Sequence, residues 1–406
     1  MSNLLPVPEA RARILAGLAP LERETTPLAE ALGRTLAAPL KALRTQPPWD
    51  CSAMDGYALR AADAATAGAR LVVVGEAAAG RAFPERVGEG QAVRIFTGAP
   101  VPEGADAILL QEDAERDGDA LVVGEAVRSG RHIRRAGLDF REGETLLEKG
   151  RRLGARDLAL AAALGHPSVE VSRRPHIAIL ATGDELVLPG AEVGPDQIVA
   201  SNAFAIAAVV AAEGGVPVDL GVAPDDRRAI RAAIESAIAQ KADVLVTLGG
   251  ASVGDHDLVK PVLEEAGVRL DFWKIAMRPG KPMMAGRRDD MLALGLPGNP
   301  VSAIVCSLLF LAPAIRRLAG RADVEPVLRP GRLGRDMPAN DRREDYMRAA
   351  LSIDSDGTPV ATAYDRQDSS MLRPLSDAEC LLVRPAHALA AAAGDPCVIF
   401  PLDHPY

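Results

Sequence analysis

Cysteine is scarce in this chain: four residues, Cys51, Cys306, Cys380 and Cys397, among 406. No two stand in a C-x-x-C spacing. That argues against a disulfide framework or a structural zinc site, and it fits a reducing cytoplasm. Aromatic residues make up only 3%, too few to stack a run of bases. Positive charge is short as well. Lys and Arg total 46 against 55 Asp and Glu, a net charge of −9, so a protein that grips nucleic acid through its phosphates is not expected. An anionic substrate must then be held by a local cationic site, not by the overall field. No apolar run is expected to reach membrane-spanning length. The opening stretch, MSNLLPVPEARARIL, has no basic segment followed by an apolar one, so a secretory leader is not expected. The G-x-S-x-G elbow, the H-E-x-x-H motif and the Walker lysine loop are also missing. With no evident covalent nucleophile, the expected means of catalysis are positioning, a metal and electrostatics.

What is present is a globular composition, 48% hydrophobic and 25% charged. The length exceeds one typical core and predicts two to four domains. The most informative stretch is 242–257, ADVLVTLGGASVGDHD. Val244–Leu248 is apolar without alternation, the pattern of a strand covered on both faces of a parallel sheet. Gly249-Gly250 then lets backbone N–H groups approach a ligand. Ser252 adds a hydroxyl, and Asp255 and Asp257 add two carboxylates just before a helical run. Such a turn at the carboxyl end of a strand suits phosphate oxygens with Mg²⁺. It equally suits an ordinary strand-to-helix turn with Asp257 as N-cap; the stretch alone leaves both open.

Around this stretch the pattern divides into four parts. Residues 1–50 and 142–175 read as a helical and connector domain, with helices over 8–18, 28–36 and 154–164. Residues 51–141 alternate short apolar runs with Gly, Pro and Asp turns, an inserted β-rich domain. Residues 176–325 alternate strands and helices, which predicts a doubly wound, three-layer α/β/α central domain. There Ser201-Asn202 is expected to cap one helix, and Pro224-Asp225-Asp226 to start the next. Residues 326–406 read as a small, barrel-like β domain beyond a linker at Pro326 and Pro330.

Several strand ends bring loops to one edge of the central sheet. Thr182-Gly183-Asp184-Glu185 and Asp225 supply carboxylates, and the 249–257 loop supplies Ser252, Asp255 and Asp257. Arg278 and Lys281 supply positive charge in a proline-stiffened loop. Pro297-Gly298-Asn299-Pro300 leads into a helix with Ser302 in its first turn. Acid and base at one edge suit a phosphorylated substrate: carboxylates take Mg²⁺, and Lys and Arg take the remaining oxyanion charge. Each loop alone is better explained structurally; together, on one sheet edge, they favour a site.

The motifs SAMDGYA (52–58), TGDEL (182–186), PDD (224–226), GGASVGDHD (249–257), FWKIAMRPGKP (272–282) and GLPGNPVSA (295–303) resemble those of the molybdopterin molybdotransferases, the MoeA and gephyrin E-domain family. The resemblance spans essentially the whole chain. It implies insertion of molybdate into adenylylated molybdopterin, with Mg²⁺-dependent release of AMP. It also implies an elongated homodimer whose cleft the partner subunit completes. The associated proteins would be a molybdopterin adenylyltransferase and molybdoenzyme-maturation proteins. Carried over by motif, Asp225, Asp255 and Asp257 would bind the metal, with Asp257 also catalytic. Ser252, Arg278, Lys281, Pro297, Pro300 and Ser302 would line the molybdate and pterin-phosphate pocket. Asp55, Thr97, Asp139 and Glu185 match functional positions, and Arg348, Ser369 and Ser370 would be C-terminal contributions. Two departures stand out. Arg278 replaces a frequent Lys, and Asp368 replaces a common Gly before the serines, which leaves the choice between Ser369 and Ser370 open. Two other functions fit the same fold: the sibling adenylyltransferase, which the extra N- and C-terminal regions argue against, and a non-catalytic scaffold, which the intact loop charges argue against.

Overall fold

The computed structural model describes residues 4–250 and 258–402. The chain opens with helix α1 (Val7–Leu15), three residues shorter than the expected end at Leu18. Its buried residues Val7, Ala10, Ile14 and Leu15 form one apolar stripe. The stripe does not pack within the N-terminal region. It enters the core of the central domain beside Ile275, Met277, Ile315 and Leu318. Arg287 Nη2 donates to the carbonyls of Ile14 and Ala16 at 2.8 and 2.6 Å, satisfying end groups the helix leaves open.

The helix expected over 28–36 is only a 3-10 turn, Leu28–Glu30. The following backbone pairs at long range instead: Leu36 N–H with the Arg151 carbonyl, Leu153 N–H with the Arg34 carbonyl, and Ala37 N–H with the Glu170 carbonyl. The 1–50 and 142–175 region is thus largely small β-ribbons. Arg23–Pro27 runs antiparallel to Ser168–Ser172, and Leu40–Lys41 pairs with Thr145–Leu147. One helix, α2 (Ala155–Ala163), lies beside them. The inserted part is a six-stranded sheet that includes Gly56–Leu59, Arg70–Ala77, Gln91–Ile95 and Ala107–Leu110.

The central sheet contains strands β1 (His176–Thr182), β2 (Val216–Ala223), β3 (Val244–Leu248), β4 (Arg269–Lys274), β6 (Pro282–Arg288) and β7 (Met291–Leu296); β5 (Met277–Arg278) leaves it for another sheet. The order is β2-β1-β3-β7-β6-β4. β3 is wholly buried and parallel to both neighbours, as its non-alternating run, apolar but for Thr247, leads one to expect. β6 and β4 form an antiparallel extension. The sequence reading missed β6, because Pro282 and Gly286 interrupt it and its apolar segment is short.

Helices α3 (Asn202–Ala212), α4 (Arg227–Ala239) and α5 (Val259–Glu265) connect these strands. Two separate apolar clusters form around the sheet, one with α3 and α1 and the other with α4 and α5, which is the doubly wound arrangement. Helix α6 (Pro300–Leu318) has a π turn, Ser307–Leu311, where the Ala312 N–H reaches back to the Ser307 carbonyl just before Pro313. By length and composition this helix could cross a membrane, contrary to the impression from the sequence; 83% of its apolar window is buried inside the protein, so it is a core helix.

Five strands close the C-terminal barrel: β8 (Arg329–Leu333), β9 (Glu344–Ile353), β10 (Pro359–Ala363), β11 (Cys380–Arg384) and β12 (Pro396–Pro401). Pairing runs β9-β10-β8-β12-β11 and back to β9, leaving no open edge in the ring. β5 adds in parallel to β9, so a two-residue strand from the central domain sews it to the barrel.

Candidate active site

A cleft of about 850 Å³ lies at the carboxyl edge of the central sheet. That is where an open α/β sheet offers its loops to a ligand. One wall is Thr182-Gly183 with Glu185, and Asp225 stands nearby; Gly249-Gly250 forms the floor. The opposite wall is Pro297-Gly298-Asn299-Pro300, and Ser370 and Leu372 of the barrel close the end. Gly249 has φ +95°, and a Cβ there would approach the Thr182 carbonyl oxygen to 2.8 Å, so two loops can touch only at glycine. Gly280, at φ +108°, likewise meets Cys306 Sγ at 2.5 Å if given a Cβ, which seats the Arg278–Lys281 loop on α6.

The acids at this edge divide the work. Asp226 is the N-cap of α4, accepting from the Arg228 and Ala229 N–H groups at 3.0 and 2.9 Å. Asp184 Oδ1 accepts the Asp225 N–H at 3.0 Å. Both therefore hold the loop that presents Asp225 to the cleft. Asp255, Asp257 and Ser252 lie outside the described residues. Among the described residues no group of three His, Cys, Asp or Glu side chains converges as a metal cluster. The described donor is a hard carboxylate, Asp225 on the wall. That chemistry fits Mg²⁺.

The expected cations are placed differently from one another. Arg278 is engaged: Nε donates to Asp345 Oδ1 at 2.8 Å and Nη2 to Asp345 Oδ2, and Asp345 raises its pKa further. Lys281 is half-buried beside Pro282, which lines the cleft, and has no carboxylate within ion-pair distance among the described residues. Ser302 is buried in the first turn of α6 at 4% exposure.

Arg348, 1% exposed, donates to Gln367 Oε1 and to the carbonyls of Asp368, Met371 and Arg366 at 2.9–3.3 Å. It thus shapes the barrel segment that carries both serines. Ser369 joins the opposite wall: its hydroxyl accepts from Asn299 Nδ2 at 2.8 Å, and its carbonyl accepts from the Val301 N–H at 3.1 Å. Ser370 turns back on Asp368, whose carboxyl is held below its usual range by the Ser370 N–H and then by the Ser370 hydroxyl.

Asp55, Thr97 and Asp139 do not line this cleft. Asp55 accepts from the Thr97 N–H at 2.8 Å and the Thr97 hydroxyl at 2.7 Å; these two bonds, the N–H first, keep its carboxyl below the usual range. Asp139 is exposed on the neighbouring segment, its N–H bound to the Gln46 carbonyl at 3.0 Å.

Sequence reasoning missed two asparagines. Asn202 makes no cap on α3; its Nδ2 donates to the Gly298 carbonyl at 2.7 Å. Asn299 makes none on α6. An asparagine at a helix start reads as a cap, and no local signal marks one that reaches elsewhere.

Three family models cover most of the chain. The MoeA N-terminal region (domain I and II) matches residues 5–165, a probable molybdopterin binding domain matches 178–317, and the MoeA C-terminal region (domain IV) matches 330–402. A molybdopterin molybdenumtransferase of Nostoc sp. is 34% identical over 98% of this chain and 94% of its own length. One of Haemophilus influenzae is 34% identical over 99% of each. A crystal structure of the molybdopterin biosynthesis MoeA protein from Pyrococcus horikoshii OT3 superposes with a TM-score of 0.83 at 29% identity, covering 98% of this chain and 99% of that one. Full-length identity, domain order and superposition agree: the chain belongs to the MoeA family.

Proposed function

We propose that this protein is a molybdopterin molybdenumtransferase acting in the cytoplasm, which inserts molybdate into adenylylated molybdopterin and releases AMP. The observation that carries the reading is the cleft itself. Carboxylates stand on one wall, helix starts and a proline loop on the other, and Ser370 of the barrel closes the end. Asp225, Asp255 and Asp257 would hold Mg²⁺, which when bound offsets the charge of the adenylate phosphates. Glu185 faces the same space and would orient that end of the substrate. Lys281 carries a compact ammonium suited to a tetrahedral oxyanion, and it is the primary molybdate contact. Arg278 supports it indirectly, because its guanidinium is bound to Asp345 and anchors β5 to the barrel. Pro297 and Pro300 stiffen the wall, with Ser302 behind it in α6.

Asp55, Thr97 and Asp139 lie on the inserted module, away from this cleft. Their role is best explained by a homodimer in which they face the cleft of the second subunit. A complementation experiment tests both ideas. An inactive Asp55→Ala chain mixed with an inactive Asp257→Asn chain should recover AMP release. Confirmed heterodimers without recovery would put the whole site in one subunit. For the activity itself, AMP release from adenylylated molybdopterin that needs molybdate supports the reading; consumption of ATP with free molybdopterin would favour the sibling adenylyltransferase.

A further inference from the structure

Two serines stand side by side on the barrel segment that closes the cleft, Ser370 lining it and Ser369 bound to the lining residue Asn299, and their hydroxyls are committed in opposite ways. Ser370 donates its proton to Asp368 Oδ1 at 2.7 Å. Ser369 accepts, from Asn299 Nδ2 at 2.8 Å. A hydroxyl has one proton. That of Ser370 is spent on a carboxylate, whereas that of Ser369 must point away from the amide that is donating to it.

Asn299 is placed for a different task. It occupies the N-cap position of α6, yet its side chain makes no capping bond; forgoing one costs about 1 kcal/mol. The amide instead crosses to a residue 70 positions away. The loop that carries it is held from the far side by Asn202, through the Gly298 carbonyl at 2.7 Å. The backbone of Ser369 is fixed separately by the Val301 N–H at 3.1 Å. The Asn299 side chain is therefore not needed to bring barrel and loop together. What it adds is the direction of one hydroxyl.

We propose that Asn299 is a positioning residue for the transfer reaction: by donating to Ser369, it turns that hydroxyl's proton toward the oxyanion substrate in the cleft. The inference rests on the reading that molybdate binds here. It selects Ser369 over Ser370 as the barrel's donor.

The test is a double-mutant cycle read as half-saturating molybdate and maximal AMP release. Asn299→Ala and Ser369→Ala should each raise half-saturating molybdate about tenfold, the worth of a hydrogen bond to a charged group. Maximal rate should stay within about twofold, because uniform binding is what is lost. The double variant should be no worse than Ser369→Ala alone. Asn299→Asp, of the same shape, presents an acceptor in place of the donor and draws the hydroxyl proton to itself. It should be worse than Asn299→Ala, with the excess reduced in the Ser369→Ala background, and it carries the test if the alanine variant does not fold. An unchanged molybdate dependence in Ser369→Ala rejects the underlying placement of the substrate. A changed one in Ser369→Ala with an unchanged one in Asn299→Ala, or full additivity of the pair, rejects the role of Asn299 alone.

Discussion

The two edges of the central sheet are built from the same strands and put to opposite uses. At the amino edge, charges are closed on one another. Arg173 grips Asp243 with two bonds of 3.0 and 2.8 Å, and Asp243 also accepts the His176 N–H at 2.7 Å. Asp243 raises the Arg173 pKa, and Glu22 adds to it. Where α3 ends, Glu213 is enclosed by Arg316 and Arg321. At the carboxyl edge, loops stay apart around a cleft, and polar side chains at helix starts reach past their own helix. Asn202 and Asn299 do this; Asp226, a step away, caps normally. The contrast separates groups kept for stability from groups kept for chemistry more cleanly than residue type does.

If that division holds, substitutions at one edge should leave the other's observable untouched. The largest effect is expected at the carboxyl edge. Asp257→Asn should lower AMP release on the order of a thousandfold, as loss of a key electrostatic group does, with no change in unfolding midpoint; wild-type turnover by the folded variant would remove Asp257 from the reaction. At the amino edge, Asp243→Ala leaves the half-buried Arg173 guanidinium without its main partner and the His176 N–H without its acceptor, and should cost about 2 kcal/mol in denaturant unfolding. Half-saturating molybdate should not move, and a shift there would mean that the two edges are coupled.

Glu213 gives the pH test. Burial pushes its carboxyl up, but the hydrogen bond from Arg316 and the charges of Arg316, Arg321 and Arg152 together bring it below the usual value. Because the folded pKa is the lower one, its stabilisation is present above the unfolded pKa of about 4.3 and is lost as pH falls through the folded value. Glu213→Gln should therefore cost about 2 kcal/mol near neutrality and flatten the acid limb of stability. An unaltered limb would assign acid unfolding to other carboxylates. Asp226→Ala removes an ordinary cap and should cost about 1 kcal/mol without the change in molybdate dependence expected of Asn299→Ala. The smallest effect lies between the edges. The Thr247 hydroxyl is buried with no hydrogen-bond partner among the described residues. Thr247→Val should stabilise by about 0.5 kcal/mol; destabilisation would show that the hydroxyl is satisfied.

Much of the central layer was legible because its code is local. The run Val244–Leu248, apolar but for Thr247 and ended by glycines, reads as a doubly covered strand, and Asp226 before an amphipathic helix can hardly avoid capping it. The glycine at 249 marks a turn whose necessity the Thr182 carbonyl explains. What escaped was set at long range. Residues 34–37 carry helix-compatible side chains, but their backbone groups pair with 151–153 and 170–172. Strand β6 is defined by its ladder with β7, not by its own composition. Arg278 reads as a loop cation and is instead paired with Asp345, 67 positions on. In the site, the motif positions were visible from residue type and spacing, while the direction of each hydrogen bond was not. Asn299 and Ser369 are both polar residues in loops until the fold sets one against the other.

Helix α1 adds a constraint on how the protein is made. Its apolar stripe docks against Ile315 and Leu318 in the core of the central domain, roughly 300 residues downstream. At a synthesis rate of about 5–20 residues per second, the first helix waits on the order of 15–60 s before its seat exists. During that interval a nine-residue helix, too short to hold its shape alone in water, trails from the growing chain with its apolar side uncovered. Helix α1 thus cannot find its place before α6 is made, and any factor that shields nascent apolar segments has a defined client here: residues 7–18, from their emergence until α6 is complete.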